Sequence, residues 1–214
     1  MDSSNLKLNL GCGGVTPDGY INIDCSPNAL LSKFPFYNFI KFILYKLRLI
    51  SDGAYKANWS SNVRYCNLDK TFPKLPTSSC SVIYTSHFLE HIEKESAIRL
   101  LANCYEALSN NGILRIAVPD LYSEAKSYIW EYEESLKYNK TDFKSGENFI
   151  RLMVSRKPRH AHKWMYDFLL LRDILGELGY VNIQQMDFCE STISDIALLE
   201  HRKDSLFVEC KKSR

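Results

Sequence analysis

No Cys-x-x-Cys pair occurs in this 214-residue sequence, although it holds seven cysteines, at positions 12, 25, 66, 80, 104, 189 and 210. An odd number of thiols, set mostly inside apolar runs, argues against a disulfide framework or a cysteine-based zinc site. It points instead to reduced, buried thiols in a cytoplasmic protein. Charge of one sign is scarce as well. The 27 Lys and Arg against 25 Asp and Glu leave a formal net charge of +2, with no long block of either sign, so electrostatics gives no case for a nucleic-acid partner. The opening MDSSNLK has no basic stretch followed by an apolar core, and no signal peptide is expected. Internal repeats and low-complexity tracts are absent too. A chain of this length fits one domain, residues 1–214, with a full core and room for an inserted helical cap.

What is present is concentrated in Leu6–Pro27, LKLNLGCGGVTPDGYINIDCSP. Leu6, Leu8 and Leu10 alternate with Lys7 and Asn9, the period of a strand. Gly11, Gly13 and Gly14 follow, where missing side chains let backbone approach a ligand closely. A second apolar run, Tyr20–Ile23, ends on Asp24. At the carboxyl end of the second strand of a parallel sheet, an acid faces the glycine loop across the crevice and can accept hydrogen bonds from two ribose hydroxyls. The layout is that of a nucleoside-binding α/β fold; the plainer alternative is a strand-turn-strand with a solvated Asp24. A dinucleotide fingerprint would need G-x-G-x-x-G opening a helix, with its acid about 20 residues further on. Here Thr16 holds the third glycine position and Asp24 follows Gly11 by only 13 residues. Thr16-Pro17-Asp18-Gly19 is turn chemistry, which leaves hardly any room for a first helix whose N-terminus would hold a pyrophosphate. The expected ligand is a nucleoside without phosphates.

Phe34–Ile50, FPFYNFIKFILYKLRLI, is intensely apolar, with Asn38, Lys41, Tyr45 and Arg48 recurring at helical spacing along one narrow polar stripe. It is too short and too charged for a membrane span. Three roles stay open: a helix buried on three sides against the sheet or a substrate cap, a peripheral membrane contact through Phe36–Ile50 with snorkelling Lys41, Lys46 and Arg48, or a dimer interface. Ser51-Asp52-Gly53 is expected to end it. Val63–Asn67 reads as a third strand leading to Leu68 and Asp69, and Cys80–Thr85, apolar and β-branched, as a fourth.

Ser86-His87-Phe88-Leu89-Glu90-His91 follows directly. His87-x-x-Glu90-His91 matches the inverted zincin pattern, two histidines at i and i+4 on one helical face with the glutamate as general base. A zinc site needs a third ligand, normally on a following helix, and only the ordinary acids Glu95, Glu106 and Glu124 stand there; no metal site is expected. Ser96–Leu108 is an amphipathic helix with Ala97, Leu100, Leu101, Cys104 and Leu108 on one face. Asn110-Asn111-Gly112 stop it, and Gly112–Val118 is a fifth strand ended by Pro119. From Leu121 to Lys163 the pattern is helical and polar, and Tyr122, Tyr128, Trp130, Tyr132, Tyr138 and Tyr166 can stack on a sugar or base or fill a core. The cluster Arg156-Lys157-Pro158-Arg159-His160-Ala161-His162-Lys163 suits a phosphate or carboxylate handle, or a solvated loop. Asp167–Leu178 is the last helix, and Tyr180–Asp187 and Ser205–Cys210 are closing strands whose short separation predicts antiparallel pairing.

The LNLGCG loop, the GYINID strand, Ser86–His91 read as S-H-x-L-E-H, and the LRIAVPD strand resemble class I S-adenosylmethionine-dependent methyltransferases. The closest likeness is to a small bacterial branch whose first helix is likewise reduced. The resemblance covers residues 6–27, 63–120 and 162–212. It implies an α/β fold, a Rossmann-like, mostly parallel seven-stranded sheet with helices on both faces and an inserted helical cap from segments 28–60 and 121–163. It implies S-adenosyl-L-methionine as cofactor, with Gly11, Cys12 and Gly13 at its methionyl end, Asp24 on the ribose, Leu68 and Asp69 at the adenine, and Ser86 and His87 flooring the pocket. The expected activity is O-methylation of a sugar, a glycan or another small polar metabolite. A neutral hydroxyl is a poor nucleophile, so a histidine base is expected, His162 first and His87 second. The sequence departs from its relatives at Ser109-Asn110-Asn111-Gly112, where they commonly read K-P-G-G. Two other classes stay open, a zinc-dependent hydrolase using His87, Glu90 and His91, and a catalytically silent nucleoside-binding scaffold.

Overall fold

Alternation fixes the centre of the sheet. In the computed structural model, which describes residues 5–50, 52–56, 59–138, 145–153 and 162–213, β1 (Leu6–Leu10) sends Leu8 and Leu10 to one face and Lys7 and Asn9 to the other. It pairs in parallel with β2 (Ile21–Asp24) on one side and β4 (Cys80–Ser86) on the other. β3 (Arg64–Tyr65) and β5 (Leu108–Val118) extend the parallel array, and β6 (Tyr180–Met186) and β7 (Leu206–Lys212) complete a seven-stranded sheet in the order β3-β2-β1-β4-β5-β7-β6. β7 pairs antiparallel with both β5 and β6. The sheet is therefore mixed, and only β7 runs against the rest.

One face is covered by α4 (Lys94–Ala107) and α7 (Phe168–Glu177). Ala97, Leu100, Leu101 and Cys104 of α4, with Leu171, Ile174 and Leu175 of α7, pack on Leu8, Leu10, Ile23, Ile83, Leu114 and Ile116. The i, i+3, i+4 spacing read from the sequence puts these side chains on one stripe of each helix. Asp167 caps α7, its Oδ1 accepting from Leu170 N at 2.9 Å. All seven cysteines are free thiols; Cys12, Cys80, Cys104 and Cys210 are buried, whereas Cys25 is exposed.

The other face departs from the expectation of helices on both sides. It is covered by the irregular segment joining β6 to β7, which holds a single 3-10 turn at Ile196–Leu198. Ile193, Ile196 and Leu199 pack there on Tyr20, Val82 and Tyr84. The reason is the polarity of the strands on that side. Lys7 Nζ reaches Asp195 at 2.8 Å, and Asn9 Nδ2 donates to Asn22 Oδ1 at 3.0 Å. Arg115, fully buried in β5, donates from Nε to Glu200 Oε1 at 2.8 Å and from a terminal nitrogen to the Asp187 carbonyl at 3.0 Å, and lies 3.6 Å from Glu209 Oε2. Thr192 and Ser191 complete the shell by donating to the Glu209 carboxylate. An extended segment can supply these polar partners one by one; an apolar helix face cannot.

Three boundaries also differ. Ser109-Asn110-Asn111 do not stop a helix ahead of the strand but form an irregular opening of β5. Cys80 pairs with Leu108 and Val82 with Ile113, and Asn111 takes a positive φ of 61° to absorb the extra residues. The apolar helix is α2 (Tyr37–Lys46), preceded by α1 (Pro27–Leu31) and followed by α3 (Asp52–Lys56), so Asp52-Gly53 open a helix rather than end one. α2 is not buried on three sides: its buried residues are Tyr37 and Lys41, and its phenylalanines face outward. α5 (Leu121–Tyr138) and α6 (Ser145–Met153) pack on each other, with Tyr128 stacked on Phe149 at 5.2 Å between ring centroids.

Arg115→Met leaves the Glu200 and Glu209 carboxylates in the core without their cation. The unfolding free energy should fall by about 3–5 kcal/mol, the usual cost of stranding a buried charge. Urea denaturation at unchanged slope measures it, and a loss under ~1 kcal/mol, typical of an exposed pair, would show that Arg115 does not hold this face.

Candidate functional site

The site forms where β1, β2 and β4 end, on the carboxyl edge of the parallel strands. Gly11 and Gly13 both have positive φ, 66° and 53°, which turns the chain sharply after β1. A Cβ on Gly11 would lie 2.7 Å from the Phe88 side chain, whereas one on Gly13 would stand in open space. The loop is tied to β2 through Asp24, whose Oδ2 accepts from Gly13 N at 2.9 Å and whose Oδ1 accepts from Ser26 N at 2.6 Å. Asp24 is thus held by two amides, and each of its oxygens keeps lone-pair capacity for a ligand hydroxyl.

Cys12 turns its side chain away, into a small cluster with Ala29 and Val63. Burial first, then the charge of Asp24, pushes its thiol up to about 12, so the residue can serve a ligand through its backbone and not as a thiolate. Leu68 lies in the core, and Asp69 follows it in a turn in which Asn67 Oδ1 accepts from Asp69 N at 3.2 Å. Neither lines the glycine-loop cavity. Burial, then the charge of Asp24 and, less, that of Asp69, push the Cys25 thiol up.

Two cavities meet behind the glycine loop. The smaller, about 220 Å³, is lined by Gly11, Gly13, Asn9, Ser86 and His87 among others. The larger, about 770 Å³, is lined by His87, Glu90, His91, Glu124 and His162, with His201, Arg202, Lys203 and Asp204 at its edge. They share His87, His201 and Arg202. Ser86 and His87 therefore stand where the sequence led us to expect them, at the end of β4. The sequence reading missed His201, Arg202 and Lys203; their only signal is the short charged run His201-Arg202-Lys203-Asp204 ahead of the last strand.

His87 has φ 49°, an uncommon conformation for a residue with a Cβ. Its backbone N donates to Ala117 O, its Nε2 is 2.9 Å from Ser205 Oγ, and its Nδ1 is 3.2 Å from Glu90 Oε1. The positive φ also corrects the zincin reading. That pattern needs His87 and His91 on one continuous helix, and here only a 3-10 turn, Leu89–His91, follows the strand. Glu90 is 1% exposed, too enclosed to activate a water as a general base. The histidine that joins it comes from far along the chain. Lys163 N and Trp164 N donate to the Glu90 carbonyl at 2.7 and 3.3 Å, which brings the His162 ring within 5.1 Å of the His91 ring, centroid to centroid. One donor atom each from Glu90, His91 and His162 lies within 4.8 Å of the others, a buried carboxylate beside two half-buried imidazoles. Of the basic run at 156–163, only His162 and Lys163 lie within the described residues.

No family model matches this chain, and neither does any curated protein. Solved structures do. A SAM-dependent methyltransferase from Archaeoglobus fulgidus is similar with TM-score 0.52 at 18% identity, across 99% of this chain and 87% of its own. One from Methanosarcina mazei gives TM-score 0.53 at 14% identity, across 100% and 94%. A possible histamine N-methyltransferase from Thermotoga maritima gives TM-score 0.53 at 11% identity, across 97% and 82%. At such identities the likeness shows the fold: a seven-stranded mixed sheet with helices, as in these methyltransferases.

The two loop glycines should separate on substitution. Gly11→Ala meets both left-handed strain and the Phe88 ring, for a loss of about 2–4 kcal/mol. Gly13→Ala meets the strain alone, for about 1–2 kcal/mol. Equal shifts of the two urea midpoints would show that Phe88 swings aside and does not constrain the turn.

Proposed function

We propose that this protein is a methyltransferase that uses S-adenosylmethionine to methylate a hydroxyl of a small polar or glycan acceptor. The observation that carries the reading is the pair of adjoining cavities, one against the glycine loop and one against the histidine cluster, with His87, His201 and Arg202 in their common wall. Neighbours of the same fold are described as S-adenosylmethionine-dependent, and the loop fits that cofactor. Gly13 leaves open space where a side chain would stand, and Asp24 is oriented by two amides with acceptor capacity to spare. Gly11, Cys12 and Gly13 would hold the methionyl end through backbone, Asp24 the ribose, and Leu68 and Asp69 the adenine edge, with Ser86 and His87 below. When bound, S-adenosylmethionine supplies a methyl group already activated by its sulfonium.

The chain's own task is to exclude water, align the acceptor and receive its proton. His162 is the base we assign. It lines the larger cavity beside His91 and the buried Glu90 carboxylate, where an imidazole can receive the proton that the acceptor hydroxyl gives up. His87, with Ser205 and Glu90 at its two ring nitrogens, is better suited to positioning than to proton transfer. Arg202 and Lys203 at the rim suit an acceptor with an anionic handle. The insertion at 121–163, which brings Glu124 and His162 to the larger cavity, would complete the acceptor side.

Titration calorimetry should give micromolar affinity for S-adenosylmethionine or its demethylated product. Asp24→Ala should lose at least roughly tenfold, and over about a hundredfold if both hydrogen bonds to the carboxylate are worth about 1.5–3 kcal/mol each. Equal affinity in wild type and variant removes Asp24 from the site, and no binding by wild type removes the cofactor assignment. Labelled methyl incorporation into a panel of sugars, sugar phosphates and glycans then identifies the acceptor. His162→Ala should lower kcat by about 10²–10⁴-fold and flatten the acid limb of the pH profile, with His87→Ala affecting KM as well. Cofactor binding with no turnover on any acceptor would favour the silent scaffold.

A further inference from the structure

Between Asp24 and Asp52 the chain carries no acidic residue, while Lys33, Lys41, Lys46 and Arg48 fall within it. Amphipathic logic would turn the polar stripe of α2 to water and its apolar face to the core. The structure does so only in part: Asn38 and Arg48 are exposed, but Lys41 of the same stripe is turned inward. Lys41 is 7% exposed, its Nζ seated 5.2 Å from the Tyr37 ring and 5.7 Å from that of Tyr55. Phe39, Phe42 and Ile43 stand on the open side, continued by Phe34 and Phe36 before the helix and Leu47 and Leu49 after it. Phe36, Phe39, Leu47 and Leu49 are each more than 60% exposed. Lone exposed apolar residues are commonplace; seven on one short segment are not. No residue of the segment lines either cavity of the candidate site, so it does not close over them.

From this face we infer that α2 and its flanks are a membrane-surface site, a shallow insertion into the interface of a bilayer containing anionic lipid. Charge selects this occupant. Exposed Lys33, Lys46 and Arg48 accompany the apolar patch, outnumbering the one acid near them, Asp52 at the end of the helix, a pattern that anionic headgroups attract and that apolar side chains then hold. A two-fold contact with a second copy would bring the same cations against each other. The helix lies on the surface and does not cross it: α2 has 10 residues, about 15 Å of axis against a core of about 30 Å. Among the described residues no helix is long and apolar enough to span. At the end of the helix a hollow of about 360 Å³ is lined by Tyr45, Lys46, Arg48, Ile50 and Asp52, two cations against one carboxylate.

Flotation of the full chain with phosphatidylcholine vesicles, with and without phosphatidylglycerol, tests the inference apart from any methyl transfer. Wild type should float with the anionic vesicles and release with rising salt. Phe36→Ser with Phe39→Ser and Phe42→Ser should cut partitioning by roughly a hundredfold or more. Lys33→Gln, Lys46→Gln and Arg48→Gln should each cut it roughly fivefold on anionic vesicles. These side chains are exposed, so the urea midpoint should not move. Wild type that stays in solution with both vesicles overturns the inference. So does a serine variant that floats like wild type, or a wild-type dimer in light scattering that the serine changes dissociate.

Discussion

A buried guanidinium organises this molecule. Arg115 lies in β5 with no exposure and takes partners from three separate places: Glu200, the carbonyl of Asp187, and Glu209 on β7. A cation removed from water must be matched by charge and by hydrogen bonds. Here the matching groups sit on the segment that closes the second face of the sheet, and Cys189 N donates to the other oxygen of Glu200 at 2.6 Å. Because Glu200 is fixed, His201 and Arg202 next to it are carried to the wall between the two cavities. A charged core on one face thus sets the geometry of the ligand side.

The ligand side itself shows how strain and charge share one place. His87 accepts an uncommon backbone conformation at the strand end, and its ring is then caught between Ser205 and Glu90. Glu90 in turn carries a carboxylate almost wholly withdrawn from solvent, with imidazoles on either side. Such a carboxylate needs a proton, hydrogen-bond donors or a cation within reach.

Much of the scaffold could be read directly from the residues. The alternation in β1, the glycine loop, the step to Asp24 and the α4 stripe are local patterns, and each reappears in place. The elements that escaped are those decided at long range. Helices were expected on both faces, yet Lys7 and Arg115 find their polar partners Asp195, Glu200 and the Asp187 carbonyl on the irregular segment between β6 and β7. The motif at His87–His91 looked helical because spacing alone cannot reveal a positive φ at its first residue. His162 enters the cluster through hydrogen bonds from the residues after it to the Glu90 carbonyl, a contact no local pattern announces. The polar stripe of α2 was legible, but not which way it turns. Tyr37 and Tyr55 offer Lys41 aromatic faces, and that draws this one lysine of the stripe inward.

The placement of β7 has a consequence for how the chain reaches this state. β7 lies between β5 and β6 although it follows both in sequence, so β6 has no neighbour in the sheet until β7 arrives. Arg115 and Glu200, 85 positions apart, cannot meet until the intervening chain has closed its loop, an entropic toll characteristic of slow, non-local assembly. During synthesis the growing chain therefore presents the open edge of β5 together with an unmatched arginine. A nascent chain interrupted before residue 206 would forfeit two strands rather than one, leaving an edge of the kind that chaperones recognise and that aggregation exploits.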